Sequence, residues 1–148
     1  MKNITNFYQI TDCIGTSGQP TEEQFILIQK NKYQSVINLA MPDSDDAIQN
    51  ESQLVTQLGM NYFHIPVPFD APTENHLQLF CELLKSLEKS GFNKTWVHCV
   101  VNARVSAFMF QYLTQEKGIA PEKAESPVLR KWKLTMDDTW KGFLKLNI

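Results

Sequence analysis

Residues 96–108 of the chain read Trp96-Val97-His98-Cys99-Val100-Val101-Asn102-Ala103-Arg104-Val105-Ser106-Ala107-Phe108. The segment just before the cysteine, residues 95–98, is short and mostly apolar, which is typical of a buried parallel strand. A short loop follows this strand, and we expect a helix to open near Val105. Ligands of open α/β sheets bind beyond the carboxyl ends of the strands. The loop that begins at Cys99 is therefore the first candidate for a binding site.

Extended and helical segments alternate outward from this stretch. Further strands are predicted over residues 35–39 and 61–67, and a weaker one near residues 8–10 and 13–14. Helices are predicted over residues 21–31, 51–58, 73–91 and 106–115, with short helices after Pro121 and Pro127 and a terminal helix that packs on the body. This alternation predicts an α/β fold, a single domain over residues 1–148 with a central, mostly parallel sheet of four to five strands flanked by helices.

Composition limits the class of function. The chain has 148 residues, of which 43% are hydrophobic, and a formal net charge of -2. Such a chain folds into a globule but has no global basic field to attract nucleic acid or anionic lipid. Its apolar runs are too short to span a membrane, and its N-terminus lacks the apolar core of a signal peptide. We therefore expect a cytoplasmic protein that binds neither nucleic acid nor membrane.

The remaining ionisable residues indicate no metal or organic cofactor. Three widely spaced cysteines disfavour a disulfide framework, and the histidines and cysteines lack the paired spacing of a zinc site. An acidic segment follows the strand at residues 35–39, and we expect its carboxylates to face solvent. Its members are Asp43, Asp45, Asp46 and Glu51.

The loop after the strand at residues 95–98 has the properties of an oxyanion site. Backbone N–H groups at a loop that feeds a helix N-terminus converge on one point, where they bind phosphate or sulfate. The loop residues predicted to contact such an anion are Val100, Val101, Asn102, Ala103 and Val105, with His98 beside them.

Three side chains of the same stretch add chemistry to this anion site. Cys99 is placed where the helix dipole favours the nucleophilic thiolate. Arg104 carries a planar fork that can bind two oxygens of a phosphate, and Ser106 is placed to donate a hydrogen bond to the Cys99 sulfur or to a leaving group. The alternative is that Cys99 and His98 only pack in the core, since a free cysteine at a strand end is often a packing residue.

The segment from His98 to Ser106 resembles the active-site loop of cysteine-dependent protein tyrosine and dual-specificity phosphatases, His-Cys-x-x-Gly-x-x-Arg-Ser/Thr. Upstream, residues 65–73 (Ile-Pro-Val-Pro-Phe-Asp-Ala-Pro-Thr) resemble the general-acid loop of the small dual-specificity phosphatases. Residues 17–21 and 36–39, together with Glu51, are similar to a bacterial group of small phosphatase-like proteins of unknown function. That group is related to the extra domain of some β-lactamase-like hydrolases. The resemblance implies a phosphatase-like fold.

The loop departs from the phosphatase pattern in its spacing. Counting from Cys99, Asn102 stands at the glycine position and Val105 at the arginine position, while Arg104 comes one residue early. Asparagine tolerates left-handed backbone better than most residues, so its presence is compatible with the loop. Either the loop is one residue shorter than in the phosphatases, or Arg104 points in a different direction.

The resemblance implies that the protein hydrolyses a phosphomonoester, of a phosphoprotein or of a small phosphorylated metabolite. Cys99 would form a phosphocysteine, Arg104 would hold the phosphoryl oxygens, Asp70 would protonate the leaving group, and Ser106 would assist departure of the thiolate. Two alternatives stay open. One is a phosphate-binding or phosphoprotein-binding module without turnover, and the other is a rhodanese-like sulfurtransferase, which would not require the Asp70 loop.

Overall fold

A computed structural model describes residues 1–145 of the chain. Within these residues five strands form one sheet in the order β1-β2-β5-β3-β4. The β1–β2 pair is antiparallel, whereas β2, β5, β3 and β4 run parallel to one another. The strands are β1 (Tyr8–Thr11), β2 (Ile14–Ser17), β3 (Ser35–Asn38), β4 (Asn61–His64) and β5 (Thr95–His98). The α/β prediction with a mostly parallel sheet is confirmed.

The first sheet segment differs from the prediction of one weak strand. Residues 8–17 form a hairpin of two strands, and Cys13 lies in the turn between them. β2 is fully buried, and its Gly15 faces the Trp96 ring so closely that a Cβ there would lie 2.6 Å from the ring carbons. A glycine and two small hydroxyl residues in β2 leave few apolar side chains, so the pattern of hydrophobic residues understates this strand.

Seven helices lie within residues 1–145, and none of them is long and apolar enough to cross a bilayer. α3 is the longest, and its apolar positions at three- and four-residue steps are buried. The helices are α1 (Glu22–Lys30), α2 (Glu51–Gln57), α3 (Glu74–Lys89), α4 (Ala103–Gln115), α5 (Pro121–Ala124), α6 (Pro127–Lys133) and α7 (Asp138–Phe143). The short helices predicted after Pro121 and Pro127 are α5 and α6, and the predicted terminal helix is α7, whose Trp140 packs in the core with no exposed surface.

Side chains of the central strands alternate between two hydrophobic cores. Val36 and Trp96 pack on one face of the sheet with residues of α1 and α2. Ile37 and Val97 pack on the other face with α3, α4 and the C-terminal helices. Because successive side chains of a strand point to opposite faces, His98 lies on the same face as Trp96, and Cys99 lies on the same face as Val97. The two residues predicted to share one site therefore begin on opposite sides of the sheet.

Candidate active site

The loop after β5, residues 99–102, lies at the carboxyl edge of the parallel sheet. The backbone on either side of its start is held by the neighbouring strands, because Leu39 N donates to His98 O (2.9 Å) and Cys99 N donates to Ser17 O (3.4 Å). α4 begins at Ala103, two residues earlier than expected. Asn102 makes this early start possible by adopting left-handed backbone, with φ 71° and ψ 8°. The predicted tolerance of asparagine at this position is confirmed.

Carbonyl groups of the loop point outward to neighbouring segments. Val100 O accepts a hydrogen bond from Gln19 N (2.9 Å), and Val101 O accepts one from the Asn6 side-chain amide (2.9 Å). Gly18 lies so close to this loop that a Cβ there would be 2.3 Å from Val100 O, so the approach requires glycine. The Asn102 amide completes the frame by donating to Asn6 O (2.8 Å).

The backbone N–H groups of the loop are free of protein acceptors. Among residues 1–145, no oxygen accepts from any backbone N–H between Val100 and Val105. The first internal bond of the following helix is Ser106 N to Asn102 O (3.0 Å). Six consecutive free donors at the start of a 13-residue helix, with their carbonyls held on the outside, form a cradle for an anion. We call residues 99–105 the cradle loop.

Cys99 is the first residue of the cradle loop, and it is completely buried. It contributes to the core on the α4 side of the sheet. Ser106 was expected to reach its sulfur, but the Ser106 hydroxyl donates to Ala103 O instead, at 2.7 Å. This correction has a simple cause: a serine in the first turn of a helix finds a backbone carbonyl one turn back within reach.

Arg104 is the second residue of α4, and its side chain turns toward the loop after β4. Its Nη1 donates to Val67 O (2.8 Å), and its guanidinium carbon lies 5.6 Å from the centre of the Phe69 ring. The residue is 5% exposed and its Nε has no hydrogen-bond partner in the described part of the chain. No carboxylate of residues 1–145 forms an ion pair with it. The contact with Val67 O gives the direction of the Arg104 side chain, toward the loop after β4.

Asp70 lies at the exposed tip of the loop that follows β4. Two contacts hold the loop just before this tip: Arg104 Nη1 donates to Val67 O (2.8 Å) and Trp140 Nε1 donates to Phe69 O (2.7 Å). The tight turn that contains Phe69 and Asp70 is closed by Ala71 N donating to Pro68 O (3.1 Å). Arg104 therefore joins the loop that carries Asp70 directly to the cradle loop. We call residues 65–72 the acid loop.

His98 is next to the cradle loop in sequence, but its ring does not line the cradle. On the α2 side of the sheet its Nε2 bonds to a Glu51 carboxylate oxygen (2.7 Å), and its Nδ1 faces Cys99 O (3.2 Å). Both residues are buried. The expectation that Glu51 faces solvent is wrong, because Glu51 begins α2 and points under the sheet edge, where Gln19 and Tyr62 also donate to it (2.7 and 2.9 Å).

Burial alone would raise the pKa of Glu51. Three hydrogen bonds, from His98, Gln19 and Tyr62, together with the charge of His98, outweigh burial and hold this pKa below its ordinary value. The same burial and the Glu51 charge raise the pKa of Tyr62, which stays protonated and donates. Glu51 and His98 form a buried hydrogen-bonded pair.

The structure places Cys99 and the free loop amides in one segment at the sheet edge, and the Arg104 side chain links this segment to the Asp70 loop through Val67 O. Sequence reasoning missed the partners that fix this arrangement. The sequence contains a signal for Gly18 and Gln19, because residues 17–21 resemble the bacterial phosphatase-like group. It contains none for the contacts of Asn6 and Trp140. Among residues 1–145, no group of three or more His, Cys, Asp or Glu is arranged to hold a metal ion.

Comparison with solved structures finds proteins that are similar to this chain. A DUF442 protein of Shewanella putrefaciens CN-32, described as a candidate phosphatase, superposes with a TM-score of 0.85 at 30% sequence identity, over 97% of this chain and 91% of that one. No protein-family model matches the chain. No protein with a curated description matches it either.

More distant structures share the fold. The catalytic domain of the PP-IP phosphatase SIW14 from S. cerevisiae, in complex with citrate, has a TM-score of 0.73 at 13% identity, over 96% of this chain and 85% of that one. TpbA of P. aeruginosa, in complex with phosphotyrosine, has a TM-score of 0.66 at 15% identity, over 97% and 92% of the two chains. The predicted resemblance to phosphatases is confirmed at the level of the fold.

Proposed function

The chain belongs to the DUF442 family, and from this premise we propose that it is a cysteine-dependent phosphatase that hydrolyses phosphomonoesters. The observation that carries the proposal is Arg104, a buried cation at the start of α4 that forms no ion pair with a carboxylate of residues 1–145. A buried charge without a counter-ion is costly, and an oxyanion beside it removes that cost. The free amides from Val100 to Val105 favour the same ligand.

The reaction uses the two loops in sequence. The Cys99 thiolate attacks phosphorus, an S–P bond forms as the ester P–O bond breaks, and the leaving oxygen takes a proton from Asp70. The cradle amides and Arg104 stabilise the charge on the phosphoryl oxygens during both steps. Water then attacks phosphorus, its proton passes to Asp70, and the S–P bond breaks to release phosphate and the thiolate. Ser106 stays outside this scheme because its hydroxyl already donates to Ala103 O.

A phosphate-binding module without turnover is the second candidate. One observation favours it: Arg104 Nη1 already donates a hydrogen bond to Val67 O. Only the remaining donors of the guanidinium are therefore available to an anion. Such a protein would bind phosphate in the cradle with the same contacts but would not form the phosphocysteine.

The test compares hydrolysis of an aryl phosphate by the wild-type protein and by two cysteine variants. Cys99→Ser should reduce turnover to background, because serine at this position is a far weaker nucleophile. Cys81→Ser is the matched control, since Cys81 is also buried but lies on α3, and it should keep the activity. Turnover that survives Cys99→Ser would refute the proposal. A wild-type protein that binds phosphate without any turnover would establish the binding module.

A further inference from the structure

The N-terminal segment of the chain lies against the outside of the cradle loop. Asn6 is the residue of this segment that contacts the loop, and it does so twice. Its side-chain amide donates to Val101 O (2.9 Å), and its backbone oxygen accepts from the Asn102 side-chain amide (2.8 Å). The partners are 95 and 96 positions apart in the sequence. The cradle loop is therefore held from outside the strand–loop–helix unit to which it belongs.

Residues on both sides of Asn6 are fixed to the body of the protein. Thr5 O accepts a hydrogen bond from Gly18 N (2.7 Å). The Phe7 ring stacks on the buried Trp96 ring, with ring centres 5.5 Å apart and ring planes 7° apart. Between these two anchors Asn6 adopts left-handed backbone, with φ 48°, which asparagine tolerates better than most residues. The position of the Asn6 amide is therefore set before any ligand binds.

The contact with Val101 O determines where a neighbouring N–H group points. The peptide unit between Val101 and Asn102 is trans. Such a unit is planar, and its C=O and N–H groups point in opposite directions. Because Asn6 holds the Val101 carbonyl on the outside of the loop, the Asn102 N–H is directed to the inside. This N–H is one of the six free donors of the cradle.

The backbone of Asn102 favours a rotation of this peptide unit. Its φ of 71° is left-handed, and this conformation is costly for a residue with a Cβ. Turning the Val101–Asn102 peptide unit over moves this φ to the negative side, where L residues are unstrained. The same rotation brings Val101 O into the cradle and takes the Asn102 N–H out of it. A carbonyl oxygen in that place would repel an anion, so the cradle needs a contact that opposes the rotation.

The preceding peptide unit is held in a different way. Val100 O accepts a hydrogen bond from the backbone Gln19 N (2.9 Å), so a main-chain contact directs the Val101 N–H inward. Asn6 takes no part in this contact. The Val101 N–H is therefore an internal reference for the Asn102 N–H.

We propose that Asn6 is a positioning residue of the anion cradle. It holds the Val101–Asn102 peptide unit with its N–H toward the ligand and opposes the rotation that would present a carbonyl oxygen instead. It acts through this peptide unit and does not touch the reacting atoms. The inference rests on the proposed function, because it places the phosphoryl group in the cradle. An exposed asparagine of the N-terminal segment thus contributes to the affinity for the ligand.

The experiment compares the wild-type protein with Asn6→Gly and uses inorganic phosphate as the probe. Glycine adopts the left-handed backbone without strain and keeps the carbonyl that receives Asn102, so the variant removes only the amide that holds Val101 O. Titration calorimetry should give a phosphate dissociation constant about 10-fold higher for the variant, which is the loss expected for one hydrogen bond to a charged oxygen. Asn3→Gly is the matched control, because Asn3 is exposed in the same segment. It should leave the constant unchanged.

Amide resonances give a second readout, which a mere loss of stability would not reproduce. In proton–nitrogen correlation spectra of the wild-type protein, phosphate should shift the resonances of both Val101 N–H and Asn102 N–H, because both donate to it. In Asn6→Gly the Val101 shift should persist, whereas the Asn102 shift should be strongly reduced. An unchanged dissociation constant for Asn6→Gly, or an Asn102 shift as large as in the wild-type protein, would overturn the positioning role while the cradle stands.

The outcomes separate this inference from the proposed function. Phosphate that shifts neither amide resonance of the wild-type protein would overturn the cradle, and the positioning role with it. A wild-type protein that binds phosphate through these amides but shows no turnover would overturn the phosphatase. The weaker binding by Asn6→Gly would then still establish the role of Asn6.

Discussion

Glu51 and His98 are 47 residues apart in the chain, yet their side chains meet at 2.7 Å beneath the carboxyl edge of the sheet. The pair fixes the strand end from which the cradle loop starts, because His98 Nδ1 also faces Cys99 O at 3.2 Å. With this carbonyl held on the α2 side, Cys99 keeps its side chain on the opposite face. A buried hydrogen-bonded pair on one side of the sheet thus helps to hold Cys99 on the other side.

Replacing Glu51 by alanine should lower the free energy of unfolding by about 3–5 kcal/mol. The reason is that the substitution leaves three buried polar groups, on His98, Gln19 and Tyr62, without their carboxylate partner. Equilibrium urea unfolding measures the loss. Glu23→Gln is the control, since Glu23 is exposed on α1 and surface changes are usually within about 0.5 kcal/mol. A loss below about 1 kcal/mol for Glu51→Ala would show that the pair does not support the strand end.

The Glu51 carboxylate also predicts a pH dependence of stability. Its pKa lies below the ordinary value of 4.5 in the folded protein, so folding favours the ionised form. This contribution is fully present above pH 4.5 and is lost as the pH falls below 4.5 through the lower folded value. The difference in unfolding free energy between the wild-type protein and Glu51→Gln should therefore be constant near neutral pH and shrink in acid. A difference that grows as the pH falls would contradict the assigned direction.

The site is built from two loops, the cradle loop and the acid loop, and from the helix α4. α4 starts at Ala103 and delivers Arg104 from its first turn, where the side chain reaches across to Val67 O. Trp140 of α7 holds Phe69 O, directly before Asp70. The acid loop is therefore held at Val67 O and Phe69 O, while Asp70 is exposed. This arrangement suits the proposed general acid, which must reach a leaving group and then return to water.

Asp70→Asn should slow hydrolysis of alkyl phosphates far more than that of aryl phosphates with acidic phenols. An alkoxide leaves only when it is protonated, whereas an acidic phenolate leaves unaided, and general-acid catalysis is typically worth about 10²–10⁴-fold. Steady-state kcat for the two classes provides the measurement. Asp43→Asn serves as the control, because Asp43 is an exposed carboxylate in the separate loop after β3. Equal losses for both classes would remove Asp70 from the acid role.

At the scale of the whole molecule, apolar patterns predicted the central strands and the strand–loop–helix unit around Cys99. They failed at β2, where small residues pack under Trp96, and at Glu51, whose burial depends on partners brought from Gln19 and His98. Local sequence patterns predict strands and helix caps. They do not predict which distant carbonyl accepts a hydrogen bond from a buried arginine, so the Arg104–Val67 contact could be seen only in the structure.

Binding of an anion in the cradle should stabilise the entire fold. Phosphate at about 100 times its dissociation constant adds about 2.7 kcal/mol by mass action, which a rise in Tm reports. Arg104→Ala should reduce this rise, because the variant loses the guanidinium donors and the buried positive charge. Arg130→Ala is the control, since Arg130 lies exposed on α6 and pairs with Glu125. An equal rise in Arg104→Ala and in the wild-type protein would show that the arginine does not face the anion.

We propose that the phosphoryl group becomes covalently bound to the Cys99 sulfur during turnover. Rapid acid quench of the wild-type protein with an aryl phosphate, followed by mass spectrometry of its peptides, tests this most directly. We expect one added phosphoryl group on the wild-type peptide that contains Cys99. The same modification should be absent from Cys99→Ser and present in Cys81→Ser. Turnover of the aryl phosphate with no phosphorylated Cys99, or with the phosphoryl group on another residue, would contradict the account.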